Sequence, residues 1–277
     1  MKNKLSFFLL AFFLFPLINI SIANAENFSA DSDGKIDSLK IKSKILEAEK
    51  DVFVYLPKDY NPQKTYPVIY CFIKTFYFNV VKFPQLLDSL YAGGFPEAII
   101  ASVDTDEEEV YADSPQGKKF REFAAKEITA EIDQKYSTDK KSQSRFLLGF
   151  SAGATAACEI AFEYPGYFGK VAAQSPGWMT RNSTGLRTID FTEASLVNLK
   201  ENKSTVYPSF WFVWGDEKNI DVRGGLWESR SRENSTKILR AMKEKNIQVE
   251  SSIVPGSHNL QLYRSTIIPA LNYLMGR

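Results

Sequence analysis

The sequence predicts an α/β fold, with a mostly parallel central sheet and helices on both of its faces. Short, continuously apolar segments recur along the chain, as expected of strands that are buried on both faces of a sheet. Longer segments with helical periodicity or helix-forming composition lie between them. No internal repeat, low-complexity linker or shift in composition divides the chain, so we expect one domain.

The individual elements follow from these patterns. The predicted strands are apolar and end at glycine, proline or polar residues; they cover 51–57, 67–73, 98–103, 145–150, 171–175, 209–214 and 249–254. The predicted helices cover about 83–91, 118–136, 152–164, 233–246 and 259–275. Strands and helices alternate through most of the chain, which is the order of a parallel sheet with helical crossovers.

The first 25 residues have the pattern of a secretory signal peptide. A basic start precedes an apolar run over 5–15, and the small-residue sequence Ala23-Asn24-Ala25 predicts cleavage before Glu26. Pro16 and Asn19 follow the run, which disfavours the alternative of an uncleaved anchor helix. We therefore expect a periplasmic or secreted protein.

Charge and cysteine content limit the partners further. The sequence has 34 Lys and Arg residues against 33 Asp and Glu, so we expect no nucleic-acid partner, and no stable membrane insertion after signal cleavage.

The two cysteines, Cys71 and Cys158, lie in a predicted strand and a predicted helix, which favours two buried thiols over a disulfide bond. No Cys-x-x-Cys or histidine-rich pattern is present, so we expect neither a metal ion nor another cofactor.

A candidate nucleophile lies at the end of the predicted strand 145–150. The segment 149–153, Gly-Phe-Ser-Ala-Gly, matches G-x-S-x-G, in which a sharp turn from strand to helix exposes a serine hydroxyl. An apolar strand precedes it and an alanine-rich helix follows, which is the context that the motif requires. We predict Ser151 as the nucleophile and the N–H of Ala152 as an oxyanion-hole donor; the alternative is an ordinary glycine-rich turn.

The sequence contains one histidine, His258, which follows the last predicted strand. A catalytic triad in a fold of this kind has the chain order serine, acid, histidine, with the histidine in a loop after the final strand. The position therefore predicts His258 as the general base.

The acid of the triad is left open by the sequence. It should follow the strand 209–214, where Asp216, Glu217 and Asp221 are candidates. Asp216 is preferred because it comes directly after the strand-ending Gly215. A Ser-His dyad without an acid is a further alternative.

Segments that match a known family extend over nearly all of the predicted mature chain. They include 52–60, 66–70, 127–128, 149–153, 164–165, 168–171 and 175–176. In these segments the chain resembles the esterase D and enterochelin esterase group of the α/β-hydrolase superfamily. The resemblance implies an α/β-hydrolase fold and a single catalytic domain over 26–277. It also implies ester hydrolysis, but the group is too diverse in substrate to identify the ester.

Two departures from the family pattern concern the site. Relatives carry His-Gly or Asp-Gly after the strand at 66–70, whereas 72–76 has no glycine here, and the resemblance assigns the second oxyanion donor to Lys74. Relatives often place the acid where this chain has Lys218.

Together these features predict an exported serine esterase that acts on a small-molecule or carbohydrate ester. One alternative is an acyltransferase, in which a sugar hydroxyl replaces water on the same acyl-enzyme. The other is a degenerate hydrolase that serves as a binding protein. Aromatic residues could line an apolar pocket or pack in surface loops; they are Phe76, Tyr77, Phe78, Trp178 and Trp227.

Overall fold

The computed structural model describes residues 32–73, 79–105, 107–181, 188–219 and 224–277. The predicted signal peptide, Lys74, Asp221 and the aromatic segment 76–78 lie outside these ranges.

A single large sheet organises the described part of the chain. The strands are β1 (Lys35–Ser43), β2 (Ala48–Leu56), β3 (Val68–Phe72), β4 (Ile99–Val103), β5 (Arg145–Phe150), β6 (Lys170–Gln174), β7 (Met179–Arg181), β8 (Thr188–Asp190), β9 (Ser209–Gly215) and β10 (Val249–Val254). Eight of these described strands form one sheet in the order β1-β2-β4-β3-β5-β6-β9-β10, and β7 pairs with β8 in a separate hairpin. β2 pairs antiparallel with β1 and β4, and the neighbours from β4 to β10 are parallel. This order confirms the predicted mostly parallel sheet.

Helices cover both faces of the sheet. They are α1 (Phe83–Ala92), α2 (Glu107–Val110), α3 (Pro115–Glu122), α4 (Thr129–Lys135), α5 (Ala152–Glu163), α6 (Thr192–Glu201), α7 (Gly225–Glu244) and α8 (Leu260–Met275). A π-helical segment, Phe123–Ile128, joins α3 to α4, and 3-10 turns cover Ser142–Ser144 and Pro165–Tyr167. No described helix is both long and apolar enough to cross a membrane.

The core has two layers, one on each side of the sheet. Side chains alternate along β5, so that Leu147 packs in one layer, whereas Phe146 and Leu148 pack in the other. α5 and the helical stretch from Phe120 to Ile132 cover the first layer, and α1 and α8 cover the second. Helices on both faces are thus confirmed, as expected for strands without a polar side.

The two cysteines are free and buried, as predicted. Burial raises the pKa of both thiols well above the usual range, which keeps them in the unreactive protonated form.

The main differences from the predicted elements lie at the sheet edge and before α7. β1 was not predicted because only Leu39, Ile41 and Ser43 are buried and most of its other side chains are polar, a pattern of edge strands. The β7–β8 hairpin and α6 were also not predicted. α7 begins at Gly225, eight residues before the predicted start at 233, and this difference affects the site directly.

Candidate active site

Ser151 lies on the turn between β5 and α5, as the motif predicts. Its backbone has φ 56° and ψ −123°, an uncommon conformation for a residue with a side chain. The Ser151 N–H donates to the carbonyl of Gln174 in the neighbouring strand at 2.9 Å, which fixes the turn against the sheet. Strained residues of this kind persist where the surrounding structure holds them, often at active sites.

The two glycines of the motif are required by close backbone contacts. A Cβ on Gly153 would lie 1.5 Å from the carbonyl oxygen of Phe72, at the end of β3. A Cβ on Gly149 would lie 2.3 Å from the carbonyl group of Gly153. Neither position can accept a side chain unless α5 moves away from the sheet, so these glycines set the position of the helix that follows Ser151.

His258 follows β10 and reaches the serine. Its Nε2 lies 2.7 Å from Ser151 Oγ, and its side chain is 14% exposed. The imidazole stacks on the ring of Phe150, with centroids 5.2 Å apart and an angle of 23° between the planes. A Cβ on Gly224 would lie 2.5 Å from the His258 carbonyl oxygen, so the segment before α7 packs directly on the histidine backbone.

The carboxylate that contacts His258 belongs to Glu228, in the first turn of α7. Glu228 Oε2 lies 2.9 Å from His258 Nδ1, and the glutamate side chain is fully buried. Its other oxygen, Oε1, accepts the N–H of Gly215 at 2.6 Å and the hydroxyl of Ser175 at 2.9 Å. A buried carboxylate requires such donors because they replace the water that it has lost.

The preferred sequence candidate, Asp216, does not occupy this position beside His258. Asp216 is exposed, and its Oδ1 accepts the N–H of Gly256 at 3.0 Å. Glu217 Oε1 accepts the backbone N–H groups of Lys218 at 2.9 Å and Asn219 at 2.7 Å. Asp216 therefore joins the loops that follow β9 and β10, and Glu217 stabilises its own turn.

Glu228 was missed because the helix that carries it was predicted to start too late. It lies 13 residues beyond Gly215, in a segment for which the sequence predicts neither a strand nor a helix. The signal in the sequence was Gly224-Gly225 with a glutamate three residues later, since glycine tolerates the left-handed conformation before a helix and acidic residues favour the first turn.

The structure describes some of the predicted oxyanion and pocket residues, namely Ala152, Trp178 and Trp227. Ala152 is the first residue of α5, so its N–H belongs to the helix N-terminus beside Ser151. Trp178 does not line a pocket: it is fully buried, and its indole N–H donates to Glu159 Oε1 at 2.8 Å. Burial raises the pKa of Glu159. Trp227, which precedes Glu228 in the sequence, is partly exposed.

The sequence matches one protein family over most of its length. The sequence model of the Esterase family, described as "Putative esterase", matches residues 43–274. The uncharacterized protein YjcH of Bacillus subtilis (strain 168) is 31% identical over 153 residues, which cover 53% of this chain. The match spans 64% of YjcH, somewhat less than two thirds of that protein.

Solved structures of esterases have the same fold. A ferulic acid esterase aligns with a TM-score of 0.70 and 20% identity, over 88% of this chain and 98% of its own. The enterobactin esterase FES of Shigella flexneri aligns with a TM-score of 0.67 and 16% identity, over 87% of this chain and 59% of its own. At these identities the likeness shows an α/β-hydrolase fold alone. The family match covers most of the sequence, and the chain therefore belongs to the Esterase family.

Proposed function

We propose that this esterase works through an acyl-enzyme, with Ser151 as nucleophile, His258 as general base and Glu228 as the acid that orients the base. The observation that carries the proposal is an unbroken hydrogen-bonded chain of three side chains. Ser151 Oγ and His258 Nε2 are 2.7 Å apart, and His258 Nδ1 and Glu228 Oε2 are 2.9 Å apart. These are the contacts by which a base activates a serine and an acid holds the base in the required tautomer.

The first half of the reaction forms the acyl-enzyme. With its Nδ1–H donating to Glu228, the neutral imidazole presents the lone pair of Nε2 to the Ser151 hydroxyl. Nε2 takes the proton as Oγ bonds to the ester carbonyl carbon, and the Glu228 carboxylate stabilises the imidazolium. The imidazolium then gives this proton to the departing alcohol as the ester C–O bond breaks. In the second half, water attacks the acyl group by the same proton transfers, and Ser151 is released.

Backbone donors stabilise the oxyanion in this proposal. One is the N–H of Ala152, at the N-terminus of α5. We retain Lys74 N–H as the second donor, because the contact of Gly153 with the Phe72 carbonyl brings the end of β3 beside the nucleophile turn. The substrate is proposed to be a small-molecule or carbohydrate ester, in keeping with structural neighbours that include ferulic acid and enterobactin esterases.

Labelling with a fluorophosphonate tests this function, because the probe reacts with activated serines. The wild-type protein should be labelled, and peptide mass spectrometry should map the adduct to Ser151. Prior incubation with excess p-nitrophenyl acetate should slow the labelling, since the acyl-enzyme and the adduct use the same oxygen. A folded protein that neither reacts with the probe nor turns over aryl esters would contradict the proposal and favour a binding role.

The assignment of the acid predicts different effects for two matched substitutions. Glu228→Gln should lower kcat by a factor on the order of 10⁴, because an amide opposite Nδ1 favours the wrong imidazole tautomer. Asp216→Asn should change kcat by less than about tenfold, because it keeps an oxygen that can accept the Gly256 N–H. Both are measured as kcat for an aryl ester. The reverse order of effects would return the acid to Asp216.

Export is also part of the proposal. Ser32, Asp33 and Gly34 are held by the carboxylate of Asp88, so cleavage before Glu26 leaves the start of the described domain anchored.

When the full sequence is expressed in a bacterial host, the extracytoplasmic fraction should contain protein that begins at Glu26, as read by N-terminal sequencing. Ala25→Tyr should retain the leader, because the cleavage site needs a small residue. Active protein that stays in the cytoplasm with its leader intact would contradict export without affecting the assignment of the triad.

A further inference from the structure

The carboxylate of Glu228 is held from three separate parts of the chain. Oε2 faces His258, while Oε1 accepts the Gly215 N–H and the Ser175 hydroxyl. Both Glu228 and Ser175 are fully buried. The two donors on Oε1 fix the orientation of the carboxylate and hold Oε2 opposite the imidazole.

Ser175, which donates to Glu228, has an unusual backbone conformation. It follows β6 directly and has φ 49°, in the left-handed region that favours glycine. Its N–H donates to the carbonyl of Val213 at 2.8 Å, so the residue is fixed against β9. Glycine would adopt this conformation with less strain but would provide no hydroxyl. The strained serine therefore points to a requirement for the hydroxyl itself.

The segment 175–178, which we term the acid corner, links the two helices that carry the site. The Pro176 carbonyl accepts the Ser231 hydroxyl of α7 at 2.5 Å. The Gly177 N–H donates to Thr155 Oγ1 of α5 at 3.1 Å. The corner is thus bonded to the helix of the acid and to the helix that follows the nucleophile, and the Ser175 hydroxyl is held at a defined position between them.

We propose that Ser175 is a positioning residue for the hydrolysis. Its hydroxyl donates to Glu228 Oε1 and fixes the orientation of the carboxylate, and Glu228 in turn holds His258 with Nε2 towards Ser151. This inference rests on the triad of the proposed function. Ser175 itself exchanges no proton with the substrate.

Two substitutions distinguish the effect of the Ser175 hydroxyl from the effect of its backbone conformation. Ser175→Ala and Ser175→Gly should each lower kcat for p-nitrophenyl acetate by about tenfold to a hundredfold, with little change in KM, because a hydrogen bond to a charged group is lost. The glycine variant relieves the strain at φ 49°, so a purely structural role would leave its kcat unchanged. Ser43→Ala is the matched control, since this buried hydroxyl donates to the Glu127 carboxylate on the edge strand β1, away from the site, and should leave kcat near wild type.

A double-mutant cycle shows whether the effect passes through Glu228. In a Glu228→Ala background, Ser175→Gly should have no further effect on kcat. Wild-type kcat in Ser175→Gly, or additive losses in the double variant, would overturn the proposal. If Glu228→Ala is itself fully active, the triad has failed, and that result is distinguishable from failure of Ser175 alone.

Discussion

Ser151→Ala should lower kcat for an aryl ester by a factor on the order of 10⁴–10⁶, since the members of a triad act as a unit and the loss of one removes most of the catalysis. The variant should also lose fluorophosphonate labelling. Its fold should persist, because the contacts that fix the turn are made by the backbone and by the neighbouring glycines. Circular dichroism and thermal unfolding would verify that the variant is folded.

Ser89→Ala is a suitable control for that experiment. Ser89 is exposed on α1 and its hydroxyl donates to the Gln85 carbonyl, so labelling and turnover should stay at the wild-type level. If the Ser151→Ala protein is still labelled, another serine is the nucleophile and the assigned mechanism fails.

His258→Gln should have a comparable effect, with a loss in kcat on the order of 10⁴–10⁶. Only a neutral imidazole can accept the Ser151 proton, and the sequence has no other histidine that could replace it. A variant with near-normal turnover would show that a different group acts as the base.

The contact between Ser151 and His258 could be predicted from a local motif and from the place of the histidine after the last strand. The requirement for a strand, a sharp turn and a helix is encoded in five consecutive residues, 149–153, and the contacts of Gly149 and Gly153 explain why that pattern is restrictive. His258 was identified by its place after the last strand, which is a consequence of topology. The buried strands were likewise predictable, since their continuous apolar sequence has few other interpretations.

The carboxylate that contacts His258 could not be predicted because its position depends on tertiary contacts. Asp216 and Glu217 follow the strand directly, and their local position made them the natural candidates. In the structure α7 starts early enough to bring Glu228 back to the end of β9, where Gly215 donates to it. Donors on β9 and after β6 thus fix the Glu228 carboxylate in space. Its distance along the sequence from β9 depends on where α7 begins.

The arrangement of the site also has a consequence for folding. Ser151, Ser175, Gly215 and His258 follow or end four successive strands of the sheet, β5, β6, β9 and β10. The contacts that join them span 107 residues between Ser151 and His258 and 53 between Ser175 and Glu228. Contacts between residues so distant in sequence form late, because the entropy of closing long loops must be overcome first. Recovered activity during refolding therefore reports the assembly of the complete parallel sheet, and a collapsed chain with native-like helices but unpaired final strands is inactive.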